Sequence, residues 1–169
     1  MRLHAAKVPQ IAARMVESLL ADGDIEASSP REVQADIEAI LNQFVRDDQD
    51  VTDKARDLLA SRGLPNGQLS RIKKMVAEDR GIKVGDEAMD YVLDQLVELL
   101  LQTPTVDEVF VEDAELRRKL RVPLREQAAL DEQIQSEVRD RLKHVQEGTS
   151  VWEVEYQRMM EDIKRRKGL

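Results

Sequence analysis

The sequence predicts an all-α protein of about eight amphipathic helices arranged as two pseudo-repeated helical lobes. Three observations carry this expectation. Apolar residues recur every three or four positions through most of the 169 residues, the spacing that places them on one face of a helix. Two stretches also resemble each other. At an offset of 81, Val16-Glu17-Ser18-Leu19-Leu20 lies over Val97-Glu98-Leu99-Leu100-Leu101, with Ile11 over Val92, Met15 over Leu96 and Ile25 over Val106. At an offset of 83, Val33, Ile37 and Leu41 meet Leu116, Leu120 and Leu124, and Val51, Ala55 and Leu59 meet Ile134, Val138 and Leu142. Lastly, Leu64-Pro65-Asn66-Gly67 is the strongest turn signal and the one plausible lobe boundary. The expected organisation is a first helical repeat over 1–66. Residues 67–169 then hold a connecting helix, the second repeat and an aromatic and basic C-terminal helix.

Each element has a local reason. The first helix carries Val8, Ile11, Ala12, Met15, Val16 and Leu19 on one face, with Pro9 in its first turn and Gly23 after its end. A second helix opens at Ser29-Pro30-Arg31-Glu32, a capping box with proline at the first helical position, and its stripe runs from Val33 to Phe44. A short third helix covers about Val51 to Ser61 and ends at Arg62-Gly63. The fourth turns Leu69, Ile72, Met75 and Val76 inward and Lys73, Lys74 and Glu78 outward, closing at Gly81. The fifth runs from about Asp86 to Gln102 with a Met89, Val92, Leu93, Leu96 and Leu100 seam. The sixth is expected to open at Thr105-Val106-Asp107-Glu108, a second capping box, and to kink at Pro123. The alternative for Val109-Phe110-Val111 is a short strand. The seventh carries Ile134, Val138, Leu142 and Val145 and ends near Gly148. The eighth begins at Thr149 or Ser150 and presents Trp152, Tyr156, Met159 or Met160, and Ile163.

Composition excludes several chemistries. The chain has no cysteine, so disulfides, thiolate nucleophiles, iron–sulfur clusters and cysteine zinc sites are excluded. A net charge of -8 argues against a generally nucleic-acid-binding surface. The longest apolar run, Leu99 to Leu101, is far too short for a membrane span. The first sixteen residues carry Arg2, Lys7 and Arg14 and no acid, a faint organelle-leader pattern. They continue into Glu17 and Asp22 on the same helix and belong to the first repeat, so a cytoplasmic protein is expected.

Several segments together carry a family resemblance. They are the opening Met1-Arg2-Leu3, Asp22-Gly23-Asp24-Ile25-Glu26, Glu147-Gly148-Thr149-Ser150-Val151-Trp152, Tyr156, and the closing Arg165-Arg166-Lys167-Gly168-Leu169. The chain resembles the bacterial domain of unknown function 507 family, small proteins that begin with Met-Arg-Leu and end in a basic Gly-Leu tail, as a longer or internally duplicated member. The resemblance implies a bacterial cytosolic helical protein and brings no catalytic residues. It departs at His4, where a small capping residue is expected.

No constellation of residues specifies a reaction. His4 and His144 are the only histidines, and neither follows the Glu-x-x-His pattern of helix-bundle di-iron sites. Asp47-Asp48-Gln49-Asp50 with Asp53 lacks the glycine of a calcium loop, and a solvated acidic helix junction is the better reading. Serines sit at caps or on helices without a nucleophile elbow. Gly81 and Gly85 flank Ile82-Lys83-Val84 without the spacing of a phosphate-binding loop. No catalytic, cofactor-binding or metal residue is expected, and the chain is read as not an enzyme.

Two basic clusters remain. Arg117, Arg118, Lys119 and Arg121, with Arg125 beyond, lie on the sixth helix, and Lys164, Arg165, Arg166 and Lys167 form the tail. Basic residues in a last turn favour the helix dipole. Contact with phosphate or an acidic partner is the functional alternative, since the tail sits at a chain end free to adapt. Single-strand binding needs stacking platforms, and the chain holds five aromatic residues. Trp152 and Tyr156, four apart, are expected to anchor the last helix in the core. The function read from the sequence is a non-catalytic intracellular binding or scaffold protein with a protein partner. The alternative is an accessory factor touching nucleic acid or a ribonucleoprotein through the two basic clusters.

Overall fold

The structure is a computed structural model that describes all of residues 1–169. It is all-helical apart from one two-residue strand pair. Six helices occur rather than eight: α1 (Val8–Ala21), α2 (Pro30–Arg62), α3 (Leu69–Asp79), α4 (Ala88–Gln102), α5 (Asp113–Arg141) and α6 (Ser150–Arg166). Single 3-10 turns at Ala5–Lys7, Asn66–Gln68 and Gly85–Glu87 lead into α1, α3 and α4. Strands β1 (Ile25–Glu26) and β2 (Glu108–Val109) pair antiparallel, Ile25 opposite Val109 and Glu26 opposite Glu108.

The difference in helix number has one physical cause. The second and third expected helices are a single rod of 33 residues, about 50 Å long. Nothing between Arg31 and Arg62 breaks a helix, and the buried positions Val33, Ile37, Leu41, Phe44, Val51, Ala55 and Leu59 keep one phase throughout. The acidic stretch is therefore helix surface rather than a junction. Gln43 donates to Asp47 and Gln49 to Asp53, each at 2.8 Å, the i,i+4 pairing that steadies a polar helix face. The rod ends at Gly63, whose φ of 60° is the left-handed conformation that closes a helix with little strain in glycine.

The sixth and seventh expected helices merge in the same way into α5, 29 residues that pass through a buried Pro123. Their start is also corrected. Thr105-Val106-Asp107-Glu108 is not a helix cap. The Thr103 and Thr105 hydroxyls both donate to Asp36 Oδ2, at 2.8 and 2.7 Å. Ser28 donates to Asp107 at 2.7 Å. These bonds hold the turn extended, so Glu108-Val109 forms the short strand and α5 begins at Asp113. The expected box at Ser29 gives the right N-cap position without the side-chain bond. At α6 the cap is Thr149, whose hydroxyl accepts from the Trp152 N–H at 3.2 Å.

One apolar cluster of 21 buried residues fills the centre, between α1, the first half of α2, α4 and the first half of α5. The far halves of α2 and α5 extend beyond this four-helix core as two arms. The first arm packs α3 and the Ile82 to Val84 segment on α2 through a cluster of eight buried residues. The second packs α6 on α5 through a cluster of five. No helix is long and apolar enough to cross a membrane.

Candidate functional site

The basic row on α5 is neutralised by carboxylates from its own helix and from neighbouring elements. Arg117 pairs with Asp94 of α4, Arg121 meets Asp90 of the same helix at 2.6 Å, and Arg118 donates to Glu115 at 2.9 Å. Lys119, its side chain only 12% exposed, reaches Asp22 at 2.7 Å and also binds the buried Asp24. Those two hydrogen bonds raise the Lys119 ammonium above its ordinary pKa. The hydrogen bond from Arg118 holds the Glu115 carboxyl below the usual range. The row thus fastens α5 to α4 and to the turn after α1, and its charge is spent inside the molecule.

The tail is also less free than its sequence suggests. Lys164 is partly buried, and burial, with the nearby charge of Arg2, lowers its pKa. Arg165 pairs with Asp162 at 2.8 Å, while Arg166 and Lys167 are exposed. Gly168, with φ of 66°, lets the Leu169 N–H return to the Lys164 carbonyl at 2.9 Å, and Leu169 packs on the second-arm cluster. This is a helix-closing motif with its apolar contact, so the chain end is fastened. Trp152 and Tyr156 are partly buried and pack against the second-arm cluster, anchoring α6 at its edge. The Trp152 ring stacks on Tyr156 with centroids 4.8 Å apart and the planes at 23°.

Two buried polar side chains escaped the sequence reading. His4 Nε2 lies 3.0 Å from Asp131 Oδ1, with side chains 9% and 6% exposed. Burial pushes the Asp131 carboxyl up, but the His4 hydrogen bond and the charge of Arg2 outweigh it, so its pKa lies below the ordinary value. One turn earlier, Gln127 is buried with its amide nitrogen unpartnered. Both residues lie on the buried stripe of α5, so helical phase was the signal that could have found them.

Open grooves lie between the helices. One of about 370 Å³ separates α2 from α4 over Ile40 and Leu99, rimmed by Asp36, Glu98 and Gln102. One of about 520 Å³ separates α1 from α5, rimmed by Arg14, Glu17, Arg118 and Lys119. A groove of about 570 Å³ runs along α3 from the end of α2, with Leu64, Ile72 and Met75 in its floor and Arg62, Arg71 and Lys74 at its rim. A smaller one on the second arm, about 230 Å³, is lined by Met159, Ile163, Arg141, Arg158 and Asp162. No group of three or more histidine, aspartate or glutamate side chains is gathered as a metal site would require.

The chain belongs to the DUF507 family of proteins of unknown function, whose model matches residues 1–169, its whole length. No curated protein matches the sequence.

Proposed function

We propose that this DUF507 protein is a non-catalytic binding or scaffold module of the bacterial cytoplasm, working through its helical surfaces on a protein partner. The observation that carries this reading is the internal neutralisation of Arg117, Arg118, Lys119 and Arg121. Nucleic-acid affinity comes largely from cations free to displace counterions along a phosphate backbone. Side chains already bound to carboxylates supply little of that. Besides the exposed Arg166 and Lys167 of the tail, what remains outward are open interhelical grooves with apolar floors and charged rims, the form in which helical proteins take partner segments.

We further propose that the two lobes are copies of one unit. The offsets read from the sequence also relate the groove linings. Gln95, Glu98, Leu99, Gln102 and Thr103 on one groove lie 81 positions beyond Arg14, Glu17, Ser18, Ala21 and Asp22 on another. Asp36 and Ile40 lie 83 before Lys119 and Pro123. Amide exchange at offset-related core residues, such as Leu41 and Leu124, should then give protection within about 1 kcal/mol of each other. A gap of several kcal/mol counts against equivalent units.

Affinity capture of the tagged chain from its source cells, with and without nuclease and across a salt series, tests the functional reading. A protein retained after nuclease treatment and at about 0.5 M salt supports it. Recovery of nucleic acid alone, lost steeply with salt, sinks it.

A further inference from the structure

We infer that the outer face of the first arm is a docking groove for an acidic amphipathic helix of a partner protein. This rests on the binding-module reading and adds the place and the partner's chemistry.

The groove follows α3 from the end of α2, with Leu64, Ile72 and Met75 beneath and Arg62, Arg71 and Lys74 above. Met75 is 39% exposed, a large apolar side chain left on a charged surface. The chain as a whole carries a net charge of -8, yet this groove gathers three cations against one carboxylate, Glu78. In the other grooves, Arg14, Arg118, Lys119 and Arg141 are each held by a carboxylate. Arg158 and Arg166 of the second-arm groove are without an ion pair, but there they share the lining with two carboxylates, Glu155 and Asp162. Beside Arg71 and Lys74 on α3, Lys73 is tied to Asp48 at 2.7 Å. Arg62, Arg71 and Lys74 are exposed and enter no ion pair or side-chain hydrogen bond. In an acidic protein where carboxylates outnumber bases, three adjacent bases without one mark a surface open to outside anions.

The floor decides which anion. Phosphates gain nothing from Leu64, Ile72 and Met75, and the groove holds no aromatic ring on which a base stacks. An amphipathic helix satisfies both features, with apolar anchors on the floor and carboxylates against the rim. The 11 residues of α3 span about 16 Å, which matches about three turns of such a helix. Methionine adapts to anchors of different shape. A second copy of this chain does not supply the occupant from its most acidic run, Asp47 to Asp50. The flanking Phe44 and Val51 are buried, and Asp48 is taken by Lys73.

The test titrates the full-length chain into a labelled helical peptide of about 15 residues, with leucines at i, i+3, i+4 and i+7 and glutamates beside them. The comparators are the same peptide with lysines for glutamates and a single-stranded oligonucleotide. The glutamate peptide should bind at least about tenfold more tightly than either. The double variant Arg71→Glu, Lys74→Glu should lose about tenfold, and Met75→Asp a comparable amount, with unchanged thermal midpoints because all three side chains are exposed. The control Arg158→Glu on the second arm should leave binding unaltered. Oligonucleotide binding that survives Met75→Asp overturns the inference in favour of phosphate. So does equal loss from Arg158→Glu, or an absence of glutamate-peptide binding. Self-association in sedimentation velocity that Arg71→Glu, Lys74→Glu removes overturns it in favour of a second copy. A captured protein partner indifferent to these variants defeats the groove alone, whereas a nuclease-sensitive capture defeats the module reading beneath it.

Discussion

In the first arm the carboxylate just beyond the central core, Asp48, meets Lys73 of α3 at 2.7 Å, with both side chains about a fifth exposed. In the second arm the residue 83 positions on, Asp131, meets His4 of the N-terminal segment at 3.0 Å, nearly excluded from solvent. One turn nearer the core, the first arm buries Phe44 and the second buries Gln127, whose amide nitrogen has no partner. The first arm is thus held by apolar packing, a partly solvated ion pair, and an exposed bond from Asn66 to Glu153 of α6 at 2.6 Å. The second has a smaller apolar cluster and is stapled to the start of the chain by a buried polar bond. The contrast teaches that a rod-and-helix arm can be held by area or by a specific buried hydrogen bond. Burial is what makes the distant His4 costly to lose, whereas the long-range Asn66–Glu153 bond is exposed.

The largest break in this comparison is Asp131→Ala. It leaves buried His4 and the Gln135 amide, which donates to Asp131 at 2.9 Å, without an acceptor. The expected cost is about 2–4 kcal/mol in urea unfolding. Asp48→Ala should cost less than about 1 kcal/mol, because its pair is partly solvated. Equal costs would erase the distinction between the arms. The acid dependence follows in sign. Asp131 has a folded pKa below its ordinary value, so its stabilisation is fully present above about pH 4 and is lost as pH falls through the lowered value. Asp131→Asn should flatten that part of the stability curve.

Next comes Trp152→Ala, at about 2 kcal/mol. The ring is half-buried and stacked on Tyr156, so its removal forfeits part of an apolar surface and one aromatic pair. A cost of about 4–5 kcal/mol would indicate a fully buried ring and a tighter second arm. A smaller effect of opposite sign is expected from Gln127→Leu. Replacing a buried, unpartnered amide by an apolar group of similar size should stabilise the chain by about 1 kcal/mol. Destabilisation by this change would mean that the amide has a partner such as a buried water.

Much of this architecture was legible in the sequence. The stripes of α1 and α4, the turn at Pro65 to Gly67 and the cap region of α6 all follow from helical periodicity and turn chemistry. The two long rods were not, because polar residues occupy their buried stripe where each leaves the core. Asp48 in α2, and Gln127 with Asp131 in α5, interrupt the apolar run without interrupting the helix. Residues 105–108 failed for a different reason. A Thr-x-x-Glu spacing is a cap only if the following residues turn, and here Asp36, 69 positions from Thr105, captures the hydroxyl instead. The candidate site was legible as charge and not as pairing. Arg117 to Arg121 read as a patch, but the acids that neutralise them lie on α4, on the turn between α1 and α2 and, at Glu115, on α5 itself. The unpaired cations Arg62, Arg71 and Lys74 are scattered over an interval that sequence alone does not fold together.

The smallest expected effect concerns the C-terminal turn of the second arm. Arg165, Arg166 and Lys167 are exposed, so changing them to glutamine should shift stability by less than about 0.5 kcal/mol. Lys164 belongs to a different environment. Burial and the neighbouring Arg2 charge lower its pKa, which means the folded state disfavours the ammonium. For a lysine with a lowered folded pKa, that penalty is present at neutral pH and is relieved as pH rises through the folded value. Lys164→Met keeps the aliphatic length and removes the charge, so it should match or slightly exceed the parent in thermal midpoint near pH 7. The gain should disappear at high pH, where the parent lysine is itself neutral. The first arm supplies the control. Lys73→Met breaks the ion pair with Asp48 and should lower the midpoint slightly. If Lys164→Met destabilises as much as Lys73→Met, the ammonium of Lys164 has an anionic partner, and the second arm is held by charge in the same way as the first.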